Sequence, residues 1–69
     1  MNRKPAVERR ETVIRHEMEY GEQFGPNRAE NEIRSQLRRL RRERGMEVAL
    51  QVARRHGVLE KYPRMMEGL

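Results

Sequence analysis

Apolar residues recur at helical spacing in three stretches of this chain, and glycines separate the stretches. From Ala6 to Tyr20 there is no Gly or Pro. Val7, Ile14 and Met18 share one helical face there, with Val13 and Tyr20 at its edge, and Glu11 interrupts the stripe. Thr12-Val13-Ile14 is a β-branched run, so residues 11–16 admit a short strand as the alternative to helix. Gly21-Glu22-Gln23-Phe24-Gly25-Pro26 reads as a connector, because two Gly and a Pro so close together break a helix. Phe24, the one Phe in the chain, is expected to tuck this connector onto the core. Asn27 has Glu30 three residues further on, the spacing of a capping box, which predicts an N-cap at Asn27.

The second helix, residues 28–44, carries the clearest pattern. Ala29, Ile33, Leu37 and Leu40 form a narrow seam. With Ile33 set at 0° and about 100° per residue, Leu37 falls near 40° and Leu40 near −20°. Arg41, Arg34, Arg38, Arg42 and Arg39 then occupy roughly 80° to 240°, and Glu32, Gln36 and Glu43 fill about 260–300°. The helix thus has a thin apolar seam, a broad basic face and a narrow acidic flank. Gly45 ends it, because Val48, Ala49, Leu50 and Val52 would scatter around the cylinder if the same helix continued. A third helix follows over 46–56, with Met46, Ala49, Leu50, Val52 and Ala53 as its apolar positions and Gly57 as its stop. Val58, Leu59, Tyr62, Met65, Met66 and Leu69 make an apolar tail over 58–69.

The pattern predicts an all-α fold: one small three-helix domain over 6–69, with helices at 6–20, 28–44 and 46–56, preceded by a flexible basic arm over 1–5. Ile33, Leu37 and Leu40 are its expected seam, with Val7, Ile14, Met18, Leu50 and Ala53 packed around it. Composition adds an expectation about assembly. Beyond Met1, the large apolar residues are five Val, two Ile, five Leu, four Met and one Phe, a thin supply for 69 residues. A homodimer closing over the seam, or a partner, is the expected remedy.

Composition also excludes chemistry. There is no Cys, so no disulfide framework, zinc–thiolate cluster or cysteine nucleophile can form. His16 and His56 lie far apart; His16 has Glu17 and Glu19 nearby, but two ligands do not make a metal site. Ser35, the one Ser, sits among arginines with no His at helical spacing. Thr12, the one Thr, lies four residues before His16 without a third group. No Gly-rich phosphate loop is present, because Gly21 and Gly25 are not followed by Lys and Ser or Thr. The expectation is a non-enzymatic protein without cofactor or metal. No apolar run reaches the length of a membrane span, and no apolar stretch follows the basic N-terminus, so the expected place is the cytoplasm.

Charge points to binding. The chain carries +5 overall, and residues 27–45 account for +4 of it, with seven Arg against three Glu. Every basic residue of that cluster is Arg, whose planar fork of donors suits phosphate or carboxylate oxygens. Residues 38–59, RRLRRERGMEVALQVARRHGVL, resemble the opening of a helix-turn-helix domain. A basic helix there ends in Arg44-Gly45, and Ala53 and Gly57-Val58 have the spacing of the turn. The resemblance implies a recognition helix directly after Val58, but Pro63 falls where that helix would run. A ribbon-helix-helix dimer, with its strand over 11–16, is a further route, although the stretch from Ile14 to Pro26 is long for that family's step into its first helix.

The leading expectation is a small DNA-binding regulatory or accessory protein. Arg34, Arg38, Arg39, Arg41 and Arg42 would contact phosphates, with Arg54 and Arg55 as a second cluster. The alternative is an inhibitor or adaptor of the phage or mobile-element kind, acting in a host's cytoplasm. It would dock its arginines on an acidic protein surface, or the tail residues Tyr62, Met65, Met66 and Leu69 on an apolar one.

Overall fold

The computed structural model describes residues 6–69; the expected arm over 1–5 lies outside the described residues. The fold is all-α, with α1 (Ala6–Tyr20), α2 (Pro26–Arg44), α3 (Met46–Arg55) and a single-turn α4 (Val58–Lys61). Short 3-10 turns at Gly21–Phe24 and Met65–Gly68 complete it. Residues 11–16 are helical, so the β-branched run is overridden by its place in a longer amphipathic element. That removes the strand a ribbon-helix-helix protein would need.

α2 is the axis on which the other elements pack. Ala29, Ile33, Leu37 and Leu40 are fully buried along it. Ile14 from α1, Ala49, Val52 and Ala53 from α3, Val58 from α4 and Met65 from the C-terminal turn close over the seam. Val7, Met18, Val48, Leu59, Tyr62, Met66 and Leu69 pack around this centre. Leu50, expected among them, is only half-buried, because the inward face of α3 is Ala49-Val52-Ala53. Of the large apolar and aromatic side chains described, only Tyr20, Phe24 and Met46 are exposed; the rest are at least half-buried within one chain. The seam of Ile33, Leu37 and Leu40 is therefore covered by the chain's own elements and offers no face to a second copy. Each large apolar side chain that is fully buried contributes about 1.5–3 kcal/mol.

Two glycines allow the tight packing. Gly45 is the whole connection between α2 and α3, at φ 99° and ψ 162°, a region open essentially to Gly alone. Its N–H donates to Arg41 O at 2.9 Å, and its carbonyl accepts from Ala49 N at 3.3 Å, so one residue closes one helix and opens the next. Gly21 is buried where α1 meets α2; a methyl group there would come within 2.7 Å of Ala29 Cβ.

Two local expectations fail. α2 starts at Pro26 with Gly25 in the cap position and no capping side chain, so Asn27 lies inside the first turn. A proline at the first position supplies a pre-set φ and loses no helical hydrogen bond, which moves the start upstream of Asn27. Phe24 is not tucked in: its side chain stands 65% exposed. The tail is also reassigned. Met65 is completely buried and Tyr62, Met66 and Leu69 pack on the core, so residues expected to meet a partner are spent on the chain's own interior.

Candidate nucleic-acid interface

The three sectors of α2 meet three different fates. The acidic flank is where α1 docks. Arg10 of α1 donates to Glu43 through Nε (3.1 Å to Oε1) and Nη2 (2.8 Å to Oε2), and through Nη1 to Gln36 Oε1 at 3.0 Å. Gln36 in turn donates to Glu32 Oε2 at 3.1 Å. The bidentate pairing holds the Glu43 carboxyl below the usual carboxylate range and strengthens the proton's hold on Arg10. Glu30, on the other side of the helix, pairs with Arg34 Nη2 at 3.0 Å. All three carboxylates of α2 are thus engaged along its flanks.

The basic face divides accordingly. Arg34 is taken out of it: besides Glu30, its Nη1 reaches Asn31 Oδ1 at 3.4 Å, and its stem lies beneath the C-terminal turn. A methyl group on Gly68 would come within 2.8 Å of Arg34 Nε, which is itself buried. Arg34 therefore belongs to the fold and not to the interface expected of it. Arg38 donates through Nη2 to Gly68 O at 3.0 Å, and Arg41 donates to Leu69 O. These two bonds pin the tail while leaving most of each guanidinium's five N–H donors in solvent. Arg39, Arg42 and Arg44 are exposed, and among the described residues no hydrogen-bond or ion-pair partner meets them.

Arg38, Arg41 and Arg42 together line a shallow cleft of about 350 Å³, and no Glu side chain lines it. Such a concavity of guanidiniums suits an oxyanion, which each planar fork can grip through two parallel hydrogen bonds. No protein-family model matches the chain, and no curated protein or solved structure matches it.

The second expected cluster splits. Arg55 Nη1 donates to Glu11 Oε2 at 2.6 Å, while Arg54 is exposed and has no such partner among the described residues. Glu11 also meets His56 Nε2 at 3.1 Å, and these groups line a cleft of about 380 Å³ with Glu8, Thr12 and Arg15. The break that Glu11 makes in the α1 stripe is thus an anchor to α3. His16 lies away from it, its ring tilted against Tyr20 at 5.1 Å between centroids. Among the described residues no group of three or more His, Cys, Asp and Glu side chains is arranged to hold a metal ion. No described helix is long and apolar enough to cross a membrane. The helix-turn-helix resemblance also stops short here. The element after Gly57 is one turn long, and Tyr62, forced towards an extended backbone by Pro63, ends it.

Two further features had no clear signal in the sequence. Arg10 looked like any surface arginine, and its partners Gln36 and Glu43 are more than 25 residues away. Arg28 stands with its guanidinium carbon 5.5 Å from the centroid of the exposed Phe24 ring, a cation–π pair at the start of α2.

Proposed function

We propose that this chain is a non-enzymatic nucleic-acid-binding accessory protein that holds the phosphate backbone against the outer face of α2. The observation that carries the reading is the cleft lined by Arg38, Arg41 and Arg42 and by no Glu side chain, extended by exposed Arg39. The acids of the same helix lie on its flanks, with Glu43 paired to Arg10 and Glu30 to Arg34, which leaves Arg38, Arg39, Arg41 and Arg42 as the outward basic cluster. Phosphate contacts position a protein without reading sequence, so the reading entails binding of mixed-sequence DNA.

Titration of a labelled mixed-sequence duplex at about 50 mM and about 200 mM salt tests it. Each phosphate neutralised contributes about −0.9 to the slope of log K against log salt. Replacing Arg38 and Arg42 by Gln therefore makes the slope shallower by roughly 0.9 for each phosphate no longer neutralised. No binding of either the duplex or a single strand at the lower salt, or a slope that the double variant leaves unchanged, overturns the reading.

A further inference from the structure

The strongest feature outside the arginine cleft is at the other end of α2. Phe24 is the most exposed large apolar side chain described, and Tyr20, the last residue of α1 just before the 3-10 turn that ends in Phe24, is 47% exposed. A small all-α chain that buries nearly every other large apolar residue leaves these rings in water. Arg28 ties Phe24 to the basic face. With Ile33 at 0° on α2, Arg28 falls near 220°, within the arc from about 140° to 240° that holds Arg38, Arg42 and Arg39. All four arginines are exposed. One solvent-facing strip therefore runs from an aromatic ring with a stacked guanidinium to the arginine cleft, about 21 Å along the helix from Arg28 to Arg42.

Building on the phosphate-binding reading, we propose that the preferred ligand is a single-stranded nucleic acid, with Phe24 as a platform for one unstacked base and the Arg28–Arg42 strip tracking its backbone. The chemistry favours this over a duplex. Bases inside a duplex stack on one another and present no free ring face, so Phe24 gains nothing from an intact helix. An unpaired base can stack on the exposed Phe24 ring with Arg28 beside it, without sequence preference, while the arginines meet successive phosphates.

The test compares anisotropy titrations of single-stranded DNA, single-stranded RNA and duplex DNA, each of roughly 15 units, at matched low salt. Wild type and the variants Phe24→Ala and Phe24→Tyr are measured. Phe24 is mostly solvent-exposed, so an unchanged circular dichroism melt checks that the variants remain folded. The expected result is tighter binding of a single strand of either sugar than of duplex. Phe24→Ala then loses roughly five- to hundredfold on the single strand and nothing on duplex, and Phe24→Tyr retains affinity. Equal affinity of wild type and Phe24→Ala for single strands, or an equal loss on both forms, overturns the proposal. The two readings fail differently. Wild-type binding to all three probes with Phe24→Ala unchanged on the single strands removes only the single-strand preference, whereas no wild-type binding to any probe removes the phosphate-binding reading as well.

Discussion

Truncating Met65 to Ala probes whether the C-terminal tail is part of the core or a free arm. Met65 is completely buried, and its turn lies over α2, where Gly68 covers Arg34 and the main-chain oxygens of Gly68 and Leu69 accept from Arg38 and Arg41. Removing its thioether stem forfeits the transfer energy of the deleted groups and leaves a cavity against the α2 seam, at a cost of about 2–5 kcal/mol for Met to Ala. The stability of a chain of this length is roughly 3–10 kcal/mol, so the change takes a large share of the total. Urea unfolding followed by circular dichroism reads it as a lower midpoint at an unchanged slope, with an osmolyte added if the variant is partly unfolded in water. A surface arm would tolerate the same change within about 0.5 kcal/mol. A Met65→Ala loss that small would refute the docking of the tail. It would also return Tyr62, Met65, Met66 and Leu69 to the role of a partner-binding segment.

Two further outcomes follow from the same structure. Gly45→Ala meets no neighbouring atom, so its whole cost is the backbone conformation at φ 99° and ψ 162°, about 1–3 kcal/mol in urea unfolding; an unchanged midpoint would mean that α2 and α3 do not join through this geometry. Glu43 has its folded-state pKa lowered by Arg10, so its contribution to stability is present above the usual carboxylate range and is lost as pH falls through the lowered value. An NMR titration is expected to find Glu43 ionising below the usual carboxylate range, and Arg10→Gln to raise it while Arg39 and Arg44 still favour the ionised form; a wild-type Glu43 ionising within the usual range would show that the α1–α2 clamp does not form in solution.

The helices and their seam were legible because helical spacing is a local property. Ala29, Ile33, Leu37 and Leu40 lie on one stripe whatever surrounds them, and Gly45 breaks the phase wherever the chain goes next. The same spacing placed Arg38, Arg39, Arg41 and Arg42 together on the opposite side. It could not say which covering the stripe would find. A thin apolar supply suggested a second copy, but four short elements of the same chain fit around α2 closely enough to hide it. Nor could spacing distinguish arginines of equal exposure on a helical wheel. Arg34 left the face because the C-terminal turn folds over its stem, and Arg10 joined the fold because two partners from a distant helix converge on its planar fork. Phe24 was misplaced for the same reason: hydrophobicity predicts burial only when the fold brings a surface to bury against, and the short turn before Gly25 carries the ring outward to Arg28. Periodicity therefore determined what each helix presents, while the choice of which face meets protein and which meets solvent depended on long-range closure that no local pattern encodes.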